Sequence, residues 1–229
     1  MTTAGEEARR AWALFVAAGQ EHPAARALGA ASTVRTVPKD AFLLHEADAD
    51  DGVFLVGSGL LRSVRNTADG QEVWLTDHRA GELIGEIAAL TGQARTSSIT
   101  ALAPSIVFAV ARTDFLAACA VHGALGLALA RLLAARLSRT STQVAELVAM
   151  SVQHRLHREL IRLSNPGGNG SAVIPQDQAP SVTELGQRIH ATREATSRAL
   201  RDLEARGLIA RSGDAWVLPG GHDETSSEP

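Results

Sequence analysis

Three hydrophobic rhythms follow one another along the chain. Residues 6–30 set Ala, Leu and Trp among charges at helical spacing, which predicts a short N-terminal helix packed on the domain that follows. From Val34 to Val110 the period falls to two. The apolar runs Phe42–Leu44, Val53–Val56, Leu60–Val64, Val73–Leu75 and Ile106–Val110 are separated by turn chemistry at Pro38-Lys39-Asp40, Asp51-Gly52, Gly57-Ser58-Gly59 and Ala68-Asp69-Gly70. Short, evenly spaced strands of this kind predict an antiparallel barrel or roll.

Beyond Thr113 the period becomes helical and stays so to about Leu163. Leu125, Leu129, Leu132, Leu133, Leu137, Val144 and Leu147 form a long apolar stripe, with Arg131, Arg136, Arg139 and Glu146 beside it. So long a helix with so little chain to cover it predicts packing against its twin in a homodimer, through residues 125–147; an intramolecular core helix is the alternative. Ser151 caps a further helix over Val152–Leu163. The glycine-rich stretch 164–171 then predicts an exposed loop.

The C-terminal part has stronger local signals. Ser181 with Glu184 fits a capping box that starts a helix with Leu185 and Ile189 facing inward. His190-Ala191-Thr192 is a short turn, and Thr192 caps a helix from Arg193 to Arg206 that stops at Gly207. Strands at Leu208–Arg211 and Ala215–Leu218 flank Ser212-Gly213-Asp214 as a compact wing, and the polar tail after Pro219 reads as disordered.

Composition narrows the setting. The 229 residues are enough for two modest domains, and the single cysteine, Cys119, can form no internal bridge, which suits a reducing cytoplasm and argues against a cysteine-ligated iron-sulfur or zinc centre. The Ala- and Leu-rich tracts are broken by Arg before they could span a bilayer, so no membrane association is expected. The net charge of −3 does not suggest a nucleic-acid binder, yet between Gly186 and Arg211 six arginines face three acidic residues, so positive charge gathers at the C-terminal end.

Two stretches carry candidate chemistry. In residues 81–100, Gly85-Glu86 opens a helical segment of one to two turns and Arg95-Thr96 leads into a strand, so that a carboxylate and a guanidinium can face one small pocket. A helix N-terminus and an arginine suit a phosphate, and a glutamate suits ribose hydroxyls. On the helix from Arg193, a spacing of about 100° per residue puts Thr196, Ala199, Leu200 and Leu203 on one face. Arg193, Glu194, Ser197, Arg198 and Arg201 share the other, and these side chain types match guanine O6/N7 and cytosine N4 in the major groove. The competing interpretation is a solvated face with a Glu194–Arg198 pair at i,i+4.

His45, His78, His122, His154, His157 and His190 show no metal-ligand spacing except His154 with His157, which reads as polar surface on a basic helix. No Gly-x-Ser-x-Gly, Walker or metal-protease pattern occurs, Ser58 reads as a turn residue, and the pocket offers no nucleophile or base, so an enzyme is not expected.

From about Val34 to Leu218 the chain resembles the family of the bacterial cyclic-AMP receptor protein, or catabolite activator, and the fumarate-nitrate regulators. The matching features come in the same order: roll, Gly85-Glu86 and Arg95-Thr96 cassette, long helix and winged helix-turn-helix. The resemblance implies an α+β fold divided as 1–120 cyclic-nucleotide-binding roll with its N-terminal helix, 121–150 dimerisation helix, 151–219 winged helix-turn-helix and 220–229 tail. It implies that Glu86 meets the ribose 2′-hydroxyl and that Arg95 and Thr96 meet the cyclic phosphate. The stretch Arg136–Ser141 resembles the part of the helix that closes over the adenine, with Thr140 meeting the base and Ser141 reaching the nucleotide of the partner subunit.

Thr192–Arg198 is similar to the family's recognition helix, which makes Arg193, Glu194 and Arg198 base readers, with Thr192, Ser197 and Arg201 beside them. The function implied is a homodimeric transcriptional regulator with cyclic AMP as allosteric effector, acting on a palindromic operator with half-sites like TGTGA. Cyclic GMP, cyclic di-GMP or no effector remain open within the class, as does a sensor module acting on a protein partner. RNA polymerase is a further candidate partner, and whether loop 165–171 touches it is left open. The segment from Glu86 to Arg95 is about one residue shorter than in the best-known cyclic-AMP receptors.

Overall fold

The computed structural model describes residues 3–67, 72–166, 171–175, 178–212 and 215–219, and the chain divides into two compact units, Met1–Ser138 and Arg139–Pro229. The tail after 219, the turn at Ala68-Asp69-Gly70 and the tip of the wing at 213–214 lie outside the described residues.

The first unit opens with two helices where the sequence reading placed one: α1 (Thr3–Ala17) and α2 (Pro23–Ala31). The helical path ends where Ala18 and Gly19 turn left-handed, with φ of 51° and 88°. It restarts because Pro23 sits in the first turn, where its missing N–H costs nothing, and His22 caps α2 by accepting from the Ala24 N–H at 3.1 Å. Trp12 of α1 is fully buried and donates its indole N–H to Ser32 Oγ at 3.0 Å, which fixes the helical pair on the core.

Eight short strands follow: β1 (Thr33–Val37), β2 (Phe42–Leu44), β3 (Val53–Ser58), β4 (Leu60–Asn66), β5 (Glu72–Arg79), β6 (Leu83–Ile84), β7 (Ser98–Ala101) and β8 (Ser105–Val110). They form two four-stranded antiparallel sheets, ordered β1-β8-β3-β6 and β2-β7-β4-β5. Leu43, Phe54, Val56, Leu61, Ile99 and Val107 fill a core cluster of the roll. Gly57-Ser58-Gly59 is the turn from β3 to β4. Gly59 has φ 93°, and a Cβ there would lie 2.6 Å from the Pro104 carbonyl oxygen, so only glycine fits.

A short helix, α3 (Glu86–Thr91), interrupts the strands, and α4 (Arg112–Val121) and α5 (Gly123–Ala149) follow them with a bend of 110° between the two. Leu125 and Leu129 of α5 are buried in the cluster that holds Trp12 and Phe115, and Leu132 and Leu133 pack against its edge. These four leucines therefore belong to the core of the first unit, which corrects their assignment to a dimer seam. The exposed apolar side chains of α5 are others: Leu127, Leu137, Val144, Leu147 and Val148. Among the described residues no single helix is long and apolar enough to cross a membrane.

In the second unit Ser151 caps α6 (Val152–Leu163) by accepting from the His154 N–H. Of the stretch expected as a loop, residues 167–170 lie outside the described residues, and Asn165–Pro166 forms a strand, β9, paired with β10 (Ala172–Ile174). The expected pair of wing strands is present as β11 (Ala210–Ser212) and β12 (Ala215–Leu218), and β10 and β9 extend it to a four-stranded sheet, β11-β12-β10-β9. Helices α7 (Val182–Arg188) and α8 (Arg193–Ala205) pack on α6 over Leu156, Leu160, Leu185, Ile189, Leu200 and Leu203. His157 is buried, so it is no part of a polar surface with His154.

The turn between α7 and α8 requires close approach at Gly186. A Cβ there would meet the Ala191 carbonyl oxygen at 2.8 Å and Thr196 Oγ1 at 3.1 Å. Gly186→Val is expected to destabilise the second unit by about 2–3 kcal/mol through overpacking. Urea denaturation of the full chain, followed by far-UV circular dichroism, checks this.

Candidate effector site and nucleic-acid interface

The cassette in the first unit starts from one glycine. Gly85 ends β6 with φ 86° and serves as the N-cap of α3. A side chain there is excluded twice over, since a Cβ would fall 2.4 Å from Arg95 Nη1 and 2.7 Å from the Gly52 carbonyl oxygen. This close approach lets the Arg95 guanidinium lie against the backbone. Arg95 is 4% exposed, donating from Nη1 to the Gly85 carbonyl at 3.2 Å and from Nη2 to the Gly52 carbonyl at 2.7 Å and Asp50 Oδ2 at 3.2 Å. Its plane also lies over the Phe54 ring, 5.6 Å from the centroid. Nε is buried and bonds to none of the described residues.

Glu86, in the first turn of α3, is 2% exposed. A carboxylate at that depth needs a partner, and Arg136 of α5 supplies it, donating from Nη1 to Glu86 Oε1 and from Nη2 to the Leu83 carbonyl. Gly85, Glu86 and Arg95 are thus brought together. Thr96 is exposed in the bend before β7. Thr140 and Ser141 are exposed on α5 and fall in the second unit, so their part in effector binding rests on the resemblance.

The sequence did not reveal two ion-pair partners: Asp50 was not singled out, and Arg136 entered only through the resemblance of Arg136–Ser141 to the stretch that closes over the adenine, not as the partner of Glu86. Arg136 had a signal, because it continues Leu125, Leu129 and Leu132 at 4-3-4 spacing and so sits on the inward face of α5. Asp50 lay in a run of acidic residues with nothing to single it out. Burial pushes the Asp50 carboxyl up, but the Gly52 N–H, the Arg95 guanidinium and the charge of Arg35 outweigh it and hold the pKa below the ordinary value. The site holds two cations, Arg95 and Arg136, and two anions, Asp50 and Glu86, paired inside the unit, with Arg95 Nε unbonded among the described residues. It can bind an anion and hydroxyl groups by partner exchange, and it presents nothing poised for proton transfer.

The interface in the second unit is set by three caps. Ser181 and Glu184 complete the capping box of α7, and Thr192 caps α8 by accepting from the Ala195 N–H at 3.2 Å. Thr196 donates its hydroxyl to the Thr192 carbonyl at 2.9 Å from a fully buried position. Thr196, Ala199, Leu200 and Leu203 form the buried face of α8 as the spacing predicts. Arg193, Glu194, Arg198 and Arg201 are exposed, and Ser197 is half-buried at the edge. The Glu194–Arg198 pair is not formed, and Arg193, Glu194 and Arg198 make no side-chain bond among the described residues. Their donors and acceptor stay free for an outside partner.

Behind this face runs a chain of charges. Glu146, at the end of α5, accepts from Arg162 at 2.6 Å and lies 3.3 Å from Arg158. Glu159 lies 3.7 Å from Arg162 and 3.4 Å from Arg188 of α7. Burial raises the Glu159 carboxyl pKa by more than those two arginines lower it. Gln153 of α6 donates to Asp202 of α8 at 2.6 Å. These bonds tie the end of α5 to α6 and α6 to both helices of the helix-turn-helix.

A roll with this cassette and a capped helix-turn-helix define a class, the DNA-binding transcriptional regulators that carry a cyclic-nucleotide-binding domain. The family model described as the cyclic nucleotide-binding domain matches residues 34–122, and that of the Crp-like helix-turn-helix domain matches residues 154–219. The chain belongs to the family of the cyclic-AMP receptor protein and the fumarate-nitrate regulators.

It is 27% identical over 184 residues to the CRP-like cAMP-activated global transcriptional regulator of Mycobacterium tuberculosis, covering 79% of this chain and 81% of the relative. It is 26% identical over 190 residues to the cAMP-activated global transcriptional regulator CRP of Pasteurella multocida, covering 82% and 90%. The fold is shared with the c-di-GMP responsive global regulator CLP of Xanthomonas campestris, at TM-score 0.69 and 22% identity over 84% of this chain and 96% of that one. It is shared also with a mutant of CooA from Carboxydothermus hydrogenoformans, at TM-score 0.70 and 19% identity over 82% and 84%.

Arg136→Ala leaves Glu86 buried without its charge partner and is expected to cost the first unit about 3 kcal/mol. Arg136→Ala/Glu86→Gln, which removes the buried charge as well, is expected to recover most of that loss. Chemical denaturation of the three proteins measures both.

Proposed function

We propose that the chain is a homodimeric transcriptional regulator that binds a cyclic nucleotide, cyclic AMP in the first instance, and reads a palindromic DNA site with α8. The observation that carries the DNA part is the unpaired state of Arg193, Glu194 and Arg198 at the capped start of α8. A face built only for solubility would pair its charges at i,i+4, and this one does not. Arg193 and Arg198 suit guanine O6/N7, Glu194 suits cytosine N4, and Thr192, Ser197 and Arg201 flank them for the backbone. The half-site expected from the family resemblance is like TGTGA.

The dimer is supported by a second stripe on α5. Leu127, Ala130, Ala134, Leu137, Ser141, Val144 and Val148 recur at 3-4 spacing, and every one of them is exposed. That is a heptad seam with small residues at its middle, fit for a second copy of the helix. Effector binding joins Glu86 and Arg95 to the ribose and cyclic phosphate, with Thr96 beside them and Thr140 and Ser141 of α5 above the base. RNA polymerase is a further partner in this reading, and the protein acts in the cytoplasm as a regulator without enzymatic turnover.

Calorimetric titration with cyclic AMP, cyclic GMP and cyclic di-GMP tests the effector. Cyclic AMP is expected to bind in the micromolar range or tighter and to lose that affinity in Arg95→Ala. No binding of any of the three would remove the effector and leave the DNA reading. In gel-shift competition, Arg193→Ala is expected to flatten the preference for the palindrome by about tenfold while retaining nonspecific affinity. An unchanged preference would show that α8 is wrongly assigned. Leu137→Glu is expected to convert the dimer into a monomer in sedimentation equilibrium; a dimer of undiminished stability would place the interface elsewhere.

A further inference from the structure

The effector cassette is closed by a residue of its own chain. A guanidinium grips an anion bidentately along one of two edges, Nε with Nη2 or Nη1 with Nη2, and both edges use Nη2. In Arg95, Nη2 already donates to two acceptors, as many as it has hydrogens: the Gly52 carbonyl at 2.7 Å and Asp50 Oδ2 at 3.2 Å. A phosphodiester can therefore take neither edge while both bonds stand. The Gly52 bond is the shorter and is made by backbone beside β3. The Asp50 bond is the longer and comes from a side chain 53% exposed, against 2% for that of Arg95. Asp50 is the partner that can leave.

What it would leave behind points to an anion as its replacement. Arg95 Nε is buried and unpartnered, a donor already stripped of water with nothing to receive it. It lies on the same edge as Nη2. Asp50 contributes a single oxygen to the guanidinium and leaves Nε unsatisfied. An anion bridging Nε and Nη2 would satisfy both.

We infer that Asp50 is a built-in surrogate for the effector's phosphate, an autoinhibitory carboxylate that a cyclic nucleotide must displace from Arg95 in order to bind. Asp50 is positioned for this by its own loop, accepting from the Gly52 N–H at 3.1 Å through Oδ1 while Oδ2 faces Arg95. The neighbouring Asp51 is turned to Arg112 at 3.6 Å and does not share the contact. The competition sets a threshold. An anion that offers only one oxygen gains nothing over Asp50, whereas one that spans the edge gains the Nε bond. This rests on the effector reading above and specifies how that site is regulated.

The test is calorimetric titration of the full chain, as wild type, Asp50→Asn and Asp50→Ala, with cyclic AMP, cyclic GMP and cyclic di-GMP, after circular dichroism has checked each fold. Asp50→Asn keeps the shape of the side chain, and Asp50→Ala serves if the amide disturbs the loop. Removing the carboxylate is expected to tighten nucleotide binding about fivefold, the scale of a partly exposed ion pair. In the background Arg95→Gln the Asp50 substitution is expected to change nothing.

If wild type binds and neither Asp50 variant binds more tightly, Asp50 is no competitor, and the effector reading survives. A gain that persists in the Arg95→Gln background equally overturns the inference, because it does not act through Arg95. If no nucleotide binds the wild type or either Asp50 variant, the effector reading fails and this inference with it.

Discussion

Helix α5 carries two apolar stripes that no single neighbour can bury. Leu125 and Leu129 are sealed in the core of the first unit, under Trp12 and Phe115, while Leu137 and Val148 stand 69% and 85% exposed. Each large apolar side chain left in water forgoes about 1.5–3 kcal/mol, so covering the second face with another surface would add stability. The two faces also differ in kind. The inward one is made of leucines that fill a core and ends at Arg136, which reaches Glu86. The outward one keeps Ala130, Ala134 and Ser141 at its middle positions, which allow close approach of another backbone more than they fill space. The same few turns thus place the partner of the buried carboxylate and present the surface on which the proposed dimer depends.

How much of this could be read from the chain varies with the range of the interaction. The caps at Ser151, Ser181 and Thr192 lie where the sequence puts them, because cap chemistry is settled within three residues. The period-two strands are likewise local. The order of the strands in the two sheets is not, since Val34 pairs with Phe108 and Phe54 with Ile84 for reasons spread across the whole roll. The N-terminal helix was read as single because alanine spacing runs on past Gly19, where the backbone in fact reverses. The stripe on α5 was read as one because intervals of three and four residues were pooled, and that pooling merged its inner and outer faces. The pairings of Asp50 with Arg95 and of Arg136 with Glu86 were not legible for a different reason: they join residues far apart in the chain, 45 and 50 positions respectively.

Buried charge explains why those contacts exist. Arg95 and Glu86 are both almost without solvent, and a charge buried there without a partner would carry a large desolvation cost. The unit answers with one opposite charge for each and with the carbonyls of Gly52, Gly85 and Leu83. Gly85 makes this possible, since any side chain at that position would push the guanidinium away from the backbone that stabilises it. The shortness of the segment from Glu86 to Arg95 leaves room for α3, whose six residues end at Thr91 before the Gly92 cap, and for little else.

The two candidate sites therefore stand in opposite electrostatic states. The charged groups of the effector cassette are paired within their own unit, and a ligand gains there only what exceeds the bonds it breaks. The reading face of α8 has Arg193, Glu194 and Arg198 unpaired, and it needs no exchange of partners before it can touch a base. On the proposed function, the reading side chains are uncovered among the described residues of their own unit, so control would act on where α8 is held rather than on uncovering it. The bonds that tie Glu146 to Arg162, Glu159 to Arg188 and Gln153 to Asp202 link the end of α5, α6 and both helices of the helix-turn-helix within the second unit. On the proposed function, position is then the variable for an effector to control, and the bonds traded at Arg95 set what its binding has to supply.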